Sequence, residues 1–150
     1  MDIASFFVQA LNGLASASSL FLVAAGLSLI FGVTRIVNFA HGSFFMLGVY
    51  VAYSLVSHAA PVVSSTLSVV LGDASSQTTA YFSMLLCAAL VTGVLGAVVE
   101  VLLLRRIYKA PELFQLLATF ALALVIQDGT LWAWGAEDLL GPRAPGLSGA

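Results

Sequence analysis

Apolar residues run through this chain in long blocks, and the polar residues collect in the gaps between them. Residues 3–34 contain no Asp, Glu, Lys or Arg, nor do residues 36–72 or 74–99, giving uncharged stretches of 32, 37 and 26 residues. A water-soluble domain needs solvated groups on its outer faces at closer intervals than this. A lipid bilayer imposes such spacing, because an ionisable side chain at the centre of a spanning helix costs roughly 2.5–3.5 kcal/mol on insertion scales. The pattern predicts an all-α, polytopic transmembrane bundle of about four membrane-spanning helices, the second one short or broken.

The first span is expected over residues 14–33, preceded by a mixed stretch from Asp2 to Asn12 that suits a short interfacial helix. Gly32, Thr34 and Arg35 mark its end. The second runs over residues 39–56, and its entrance carries Asn38 and His41. A polar connection rich in Ser and Thr follows, with Pro61, Gly72 and Asp73, and reads as an external loop over residues 59–79. The third span covers residues 80–104. Arg105, Arg106 and Lys109 stop it, and Pro111 forbids a simple continuation. The fourth covers residues 113–134 and ends on Trp132 and Trp134, residues that favour the water–lipid boundary. The tail from Gly135 reads as loop.

If the connections alternate sides, Arg35, Arg105, Arg106 and Lys109 share one side. Arg143 falls on the other, with Asp73, Glu137 and Asp138. The positive-inside rule makes the first side cytoplasmic and leaves both termini extracytoplasmic.

Composition narrows the function classes. The chain is 61% hydrophobic and 8% charged, against about 25% charged in soluble domains. Its net charge of −2 offers nucleic acid no attraction. No phosphate-cradling GxxxxGK[ST] loop is present, so ATP is not expected to bind this chain. Cys87 stands alone within an apolar run, cannot close an internal disulfide, and reads as a small hydrophobe. His41 and His58 lie 17 positions apart with no acid or Cys at ligand spacing, so neither metal nor cofactor is expected. No serine has a partnered His and acid, so no catalytic residue is assigned.

Other residues carry more information. Ala24, Ser28 and Gly32 recur every fourth position and give the first helix one smooth face, as Gly93 and Ala97 do on the third; such faces suit helix packing in lipid. Asn38, His41 and Phe45 share a helical face, while Gly42 and Gly48 weaken the helix around them. This arrangement suits a broken helix lining a translocation path. Spacing alone also suits Asn38 as a helix cap and His41 as an interhelical hydrogen bond. Glu100 lies near Arg105 and Arg106, where local charge pairing accounts for it. Asp128 lies only roughly 7 Å past the middle of the fourth span. An acid at that depth is a candidate for either a pathway or a structural hydrogen bond.

The run from Gly26 to Tyr50 resembles the bacterial branched-chain amino-acid ABC transporter permeases, on Asn38-Phe39-Ala40-His41-Gly42 followed by Met46, Gly48 and Tyr50. Glu100 with Leu104 to Tyr108, and Leu116 to Leu122, resemble the same family's later spans. Val101 and Ala121 depart from it, standing where many members place Arg and Gly. Members are longer, so residues 1–150 look like the N-terminal part of a single permease domain or a truncated form. The resemblance implies an inner-membrane subunit of an ATP-driven importer. Its partners would be ABC ATPase subunits, a second permease subunit, an extracytoplasmic solute-binding protein and membrane lipid. The candidate path residues are Asn38, His41, Gly42 and Gly48, with Asp128 as a further candidate. A structural or assembly module without transport activity is the alternative.

Overall fold

The computed structural model describes residues 2–35, 37–142 and Pro145. Every regular element among them is helical: α1 (Ile3–Thr34), α2 (Ala40–Ser54), α3 (Ala60–Leu71), α4 (Asp73–Val99), α5 (Arg105–Ile107) and α6 (Glu112–Trp134). A π-helical turn, Leu55–Ala59, joins α2 to α3, and another, Glu100–Leu104, joins α4 to α5. Four helical rods result, each long and apolar enough to cross a membrane: Ile3–Val33, Ala40–Leu71, Ser75–Ile107 and Glu112–Trp134. The second is α-helical for 15 residues before its π turn.

Three boundaries differ from the sequence reading. The stretch from Asp2 to Asn12 is no separate interfacial helix, because α1 runs unbroken from Ile3. Gly13 alone, without Pro or charge nearby, weakens a helix by only about 1 kcal/mol. The expected external loop over residues 59–79 is instead two helical arms, α3 and the start of α4, around a single-residue corner. Pro61 follows the π turn within one continuous rod, where the backbone ladder is already irregular and its missing N–H is accommodated. Ser64 donates to the Pro61 carbonyl, Ser65 and Thr66 to that of Val62, and Ser68 to that of Ser65. Polar side chains that suggested a loop are thus satisfied by their own helix. Gly72 makes the corner at φ 78°, a left-handed conformation that favours glycine. The third difference concerns the third span: it starts before Ala80 because of this corner, and it continues past Leu104 through the second π turn.

Small side chains hold the bundle together. Ala40, Ala60, Ala80 and Ala88 are buried, as are Ser43, Ser76, Thr119 and Thr130. Lipid tails are as apolar as leucine, so close approach of backbones, rather than exclusion of large hydrophobes from water, drives such helices together. Leu20, Leu86 and Val125 accordingly point outward. α2 is central and packs against α1, α4 and α6, while α3 packs on α4. Gln115 closes the corner between α5 and α6, donating to the carbonyls of Ala110 (2.8 Å) and Tyr108 (3.2 Å).

The basic residues gather at one end. Arg35 shares a hollow with Glu112 and Gln115, and Gln115 reaches back to the chain just after Arg105 and Arg106. Glu137 and Asp138 follow α6 at the opposite end. Arg143 and residues 146–150 lie outside the described residues.

Candidate functional site

Two helices separated by small residues leave space between them. Along α2 and α4 that space is a groove of about 740 Å³. Asn38, His41 and Gly48 line it from α2, with Thr92, Gly93 and Gly96 from α4. Glu100 and Tyr108 stand at its basic end. Ile30 of α1 lies along its edge.

The entrance to α2 is built by polar contacts. The Asn38 side-chain oxygen accepts from the Ala40 N–H at 3.0 Å, and the Asn38 carbonyl accepts from the His41 N–H at 3.2 Å. These bonds occupy donors that the first helical turn leaves without intrahelical partners. The His41 ring points to α1, its Nε2 lying 3.2 Å from the Val23 carbonyl oxygen. A carbonyl only accepts, so Nε2 carries the proton in this contact. Gly26, one turn along, leaves room for the ring: a Cβ there would stand 3.0 Å from both Cε1 and Nε2 of His41. Asn38 therefore caps and His41 bridges helices while both also face the groove.

The α1 face expected to pack is not the one in contact. Ala24 and Ser28 are exposed, and a Cβ at Gly32 would meet nothing within 4 Å. α1 meets α2 along Val23 and Gly26 instead. The reason is helical phase: Gly26 lies two positions, about 200°, from Ala24 and Ser28 on the helical wheel. On α4, Gly93 opens onto the groove and Ala97 is exposed.

The remaining candidates separate by the same phase argument. Gly48 faces α4, where its Cβ position lies 3.5 Å from Thr92 Cγ2. Gly42, one residue past His41, opens instead onto a trough between α2 and α6. Asp128 is exposed on α6. The groove thus unites Asn38, His41 and Gly48, while Gly42 and Asp128 sit elsewhere.

At the basic end, Glu100 Oε1 accepts from Arg105 Nε at 3.3 Å and from the Tyr108 hydroxyl at 3.4 Å. The π turn starting at Glu100 lies between acid and base, so the pair spans five positions. Burial holds the Tyr108 phenol above its ordinary pKa, and the Glu100 charge and hydrogen bond raise it further, against a smaller opposing effect from Arg105.

Sequence reasoning did not single out Thr92 or Gly96, and it quoted Gly26 and Tyr108 only as ends of family-like runs, without a role. Thr92 offered one signal, as a hydroxyl flanked by Val91 and Gly93 in an otherwise apolar stretch. Among the described residues, its Oγ1 is buried without a hydrogen-bond partner.

Comparison with known proteins matches residues 9–139 to the family described as branched-chain amino acid transport system / permease component. The chain is 24% identical over 137 residues to the high-affinity branched-chain amino acid transport system permease protein BraD of Pseudomonas aeruginosa, covering 91% of this chain and 41% of that protein. It is 23% identical over the same length to permease protein LivH of Salmonella typhimurium, with the same coverage. LivH of Escherichia coli K12 is 35% identical over 52 residues, 35% of this chain and 17% of its own. The chain spans about two-fifths of the length of the first two. No solved structure matches it significantly.

Proposed function

Because this chain belongs to the branched-chain amino acid transport permease family, we propose that it forms part of the solute path of an ATP-driven importer for branched-chain amino acids. The observation that carries this reading is the α2–α4 groove, with Asn38, His41 and Gly48 on one wall. Polar backbone and side-chain groups are tolerated at membrane depth beside a cavity or inside protein. A groove with a polar entrance and apolar walls suits a small solute with an aliphatic side chain.

In this reading the basic end faces the cytoplasm, as the distribution of Arg and Lys favours. Both ends of the chain then lie outside. ATPase subunits act from the cytoplasmic side, a binding protein delivers solute from the other, and a second permease subunit completes the path. Hydrolysis belongs to the ATPases, and this chain supplies passage.

Leucine uptake tests the reading, measured in cells that make the protein with its transporter partners. Asn38→Ala and His41→Ala are expected to lower uptake several-fold at unchanged protein level. Unchanged uptake in both would remove the α2 entrance from the path.

A further inference from the structure

The fourth rod leaves two adjacent polar side chains uncovered at one depth. Gln127 and Asp128 are both exposed on α6. Among the described residues, no hydrogen bond or ion pair reaches the Asp128 carboxylate. Asp128 stands five residues past Ala123, the middle of α6, hence roughly 7 Å from the midplane of that helix. The hydrocarbon layer extends about 15 Å on each side of its centre. An aspartate side chain is too short to reach the boundary as lysine or arginine does. Ionisable groups at such depth face protein or water rather than lipid.

The neighbouring surface has the form of a helix seat. Between α2 and α6 runs a trough of about 310 Å³, with Phe39 and Met46 on one wall and Phe120 and Leu124 on the other. Gly42 opens onto it with nothing within 4 Å of its Cβ position, and Gln127 lines it. Leu117, Leu124 and Asp128 form an exposed strip along its α6 shoulder, at seven- and four-residue spacing. The residues lining this trough are different from those lining the α2–α4 groove, so the two surfaces occupy separate faces of α2.

We propose that this face of α2 and α6 seats a further transmembrane helix of the permease, outside the four described, that places a hydrogen-bond donor opposite Asp128. Charge complementarity selects this occupant: a carboxylate surrounded by apolar side chains calls for an ammonium, guanidinium, amide or hydroxyl at the same depth. Leu117 and Leu124 supply apolar contact on either side of that bond. Gly42 admits a bulky side chain against its backbone, as small residues do where membrane helices approach closely. The relatives that match most of this chain carry more than half of their own length outside the match, which leaves room for such a helix.

Spin labelling tests this. On a Cys87→Ala background, single cysteines replace Leu117, Leu124 or, as an outward-facing reference, Leu22 of α1, in protein made with its natural neighbours and kept in native membranes. Nitroxides at Leu117 and Leu124 are expected to be several-fold less accessible to oxygen than one at Leu22, and equally closed to a water-soluble nickel chelate. Asp128→Asn should keep this shielding, and Asp128→Leu should lose it. Oxygen accessibility matching Leu22 means that lipid covers the face, and overturns the proposal. Nickel accessibility means water, and overturns it too. Spin–spin broadening between labels at Leu124 assigns the seat to a second copy. Shielding that survives Asp128→Leu removes the donor.

Discussion

The indole N–H of Trp134 donates to the Ser54 hydroxyl at 2.7 Å, tying the last residue of α6 to the last residue of α2. The Trp134 ring also lies against Tyr50, with centroids 5.4 Å apart. Ser54 immediately precedes the π turn, and its carbonyl accepts from His58 Nδ1 at 3.0 Å. One serine thus serves both the α2–α6 contact and the irregular turn.

Ser54→Ala strands the indole donor, whereas Trp134→Phe leaves only a hydroxyl that its own helix can satisfy. The indole is only half-buried, so Ser54→Ala is expected to cost about 1–2 kcal/mol, the lost bond plus part of the penalty for an unpaired donor. The direct loss in Trp134→Phe is smaller, about 1 kcal/mol for the bond itself. Thermal unfolding in detergent should rank the serine variant below the phenylalanine variant. The reverse order would mean that the ring contact, not the hydrogen bond, holds the helix ends together.

Gly26 and Gly32 give a paired test of the α1 contact face. A methyl at Gly26 would press on His41 at 3.0 Å, so Gly26→Ala should displace the ring and lengthen its bond to Val23. At Gly32 nothing lies within 4 Å, and Gly32→Ala should be neutral or stabilising by about 0.5–1 kcal/mol through helix propensity. Melting temperature and leucine uptake should both fall for the first and hold for the second.

Thr92 carries a buried hydroxyl with no partner among the described residues. Thr92→Val keeps the shape and removes that group, so it is expected to stabilise the fold by about 1–3 kcal/mol. A lowered melting temperature would show that the hydroxyl is engaged after all.

Tyr108 should ionise above the usual phenol value of about 10. Its pKa is raised by burial first and by Glu100 second. Because the folded value lies above the unfolded one, the associated stability is fully present below about pH 10 and is lost as pH climbs through the raised value. In an absorbance titration near the phenolate band, Glu100→Gln should move the Tyr108 transition down. No movement would leave burial as the whole cause.

Much of this architecture was legible because lipid penalises charge so strongly. Charge-free stretches located the first three rods, and the fourth, α6, which carries Asp128, begins and ends within one residue of its expected bounds. The arms around Gly72 were harder to read. Ser64, Ser65, Thr66 and Ser68 resemble loop composition, but each hydroxyl bonds a carbonyl three or four residues back. Periodicity gave α1 a smooth Ala24–Ser28–Gly32 face, yet contact follows Val23 and Gly26. That choice depends on His41, which arrives from another helix 18 positions away. The Asn38–His41 pair was visible as chemistry, whereas Thr92 gains meaning only when α4 is laid against Gly48.

Rods of unequal length have a mechanical consequence. α6 stops beside Ser54, but its neighbour continues to Leu71, so the α3–α4 hairpin overhangs by roughly 25 Å at 1.5 Å per residue. The π turn sits at the base of that overhang, where Val56 and Ala60 share a hollow with Pro142 and Pro145. Over such an arm, a change of ten degrees at Leu55–Ala59 carries the tip roughly 4 Å. A small rearrangement beside Trp134 would therefore be felt most strongly at Gly72, the point furthest from it.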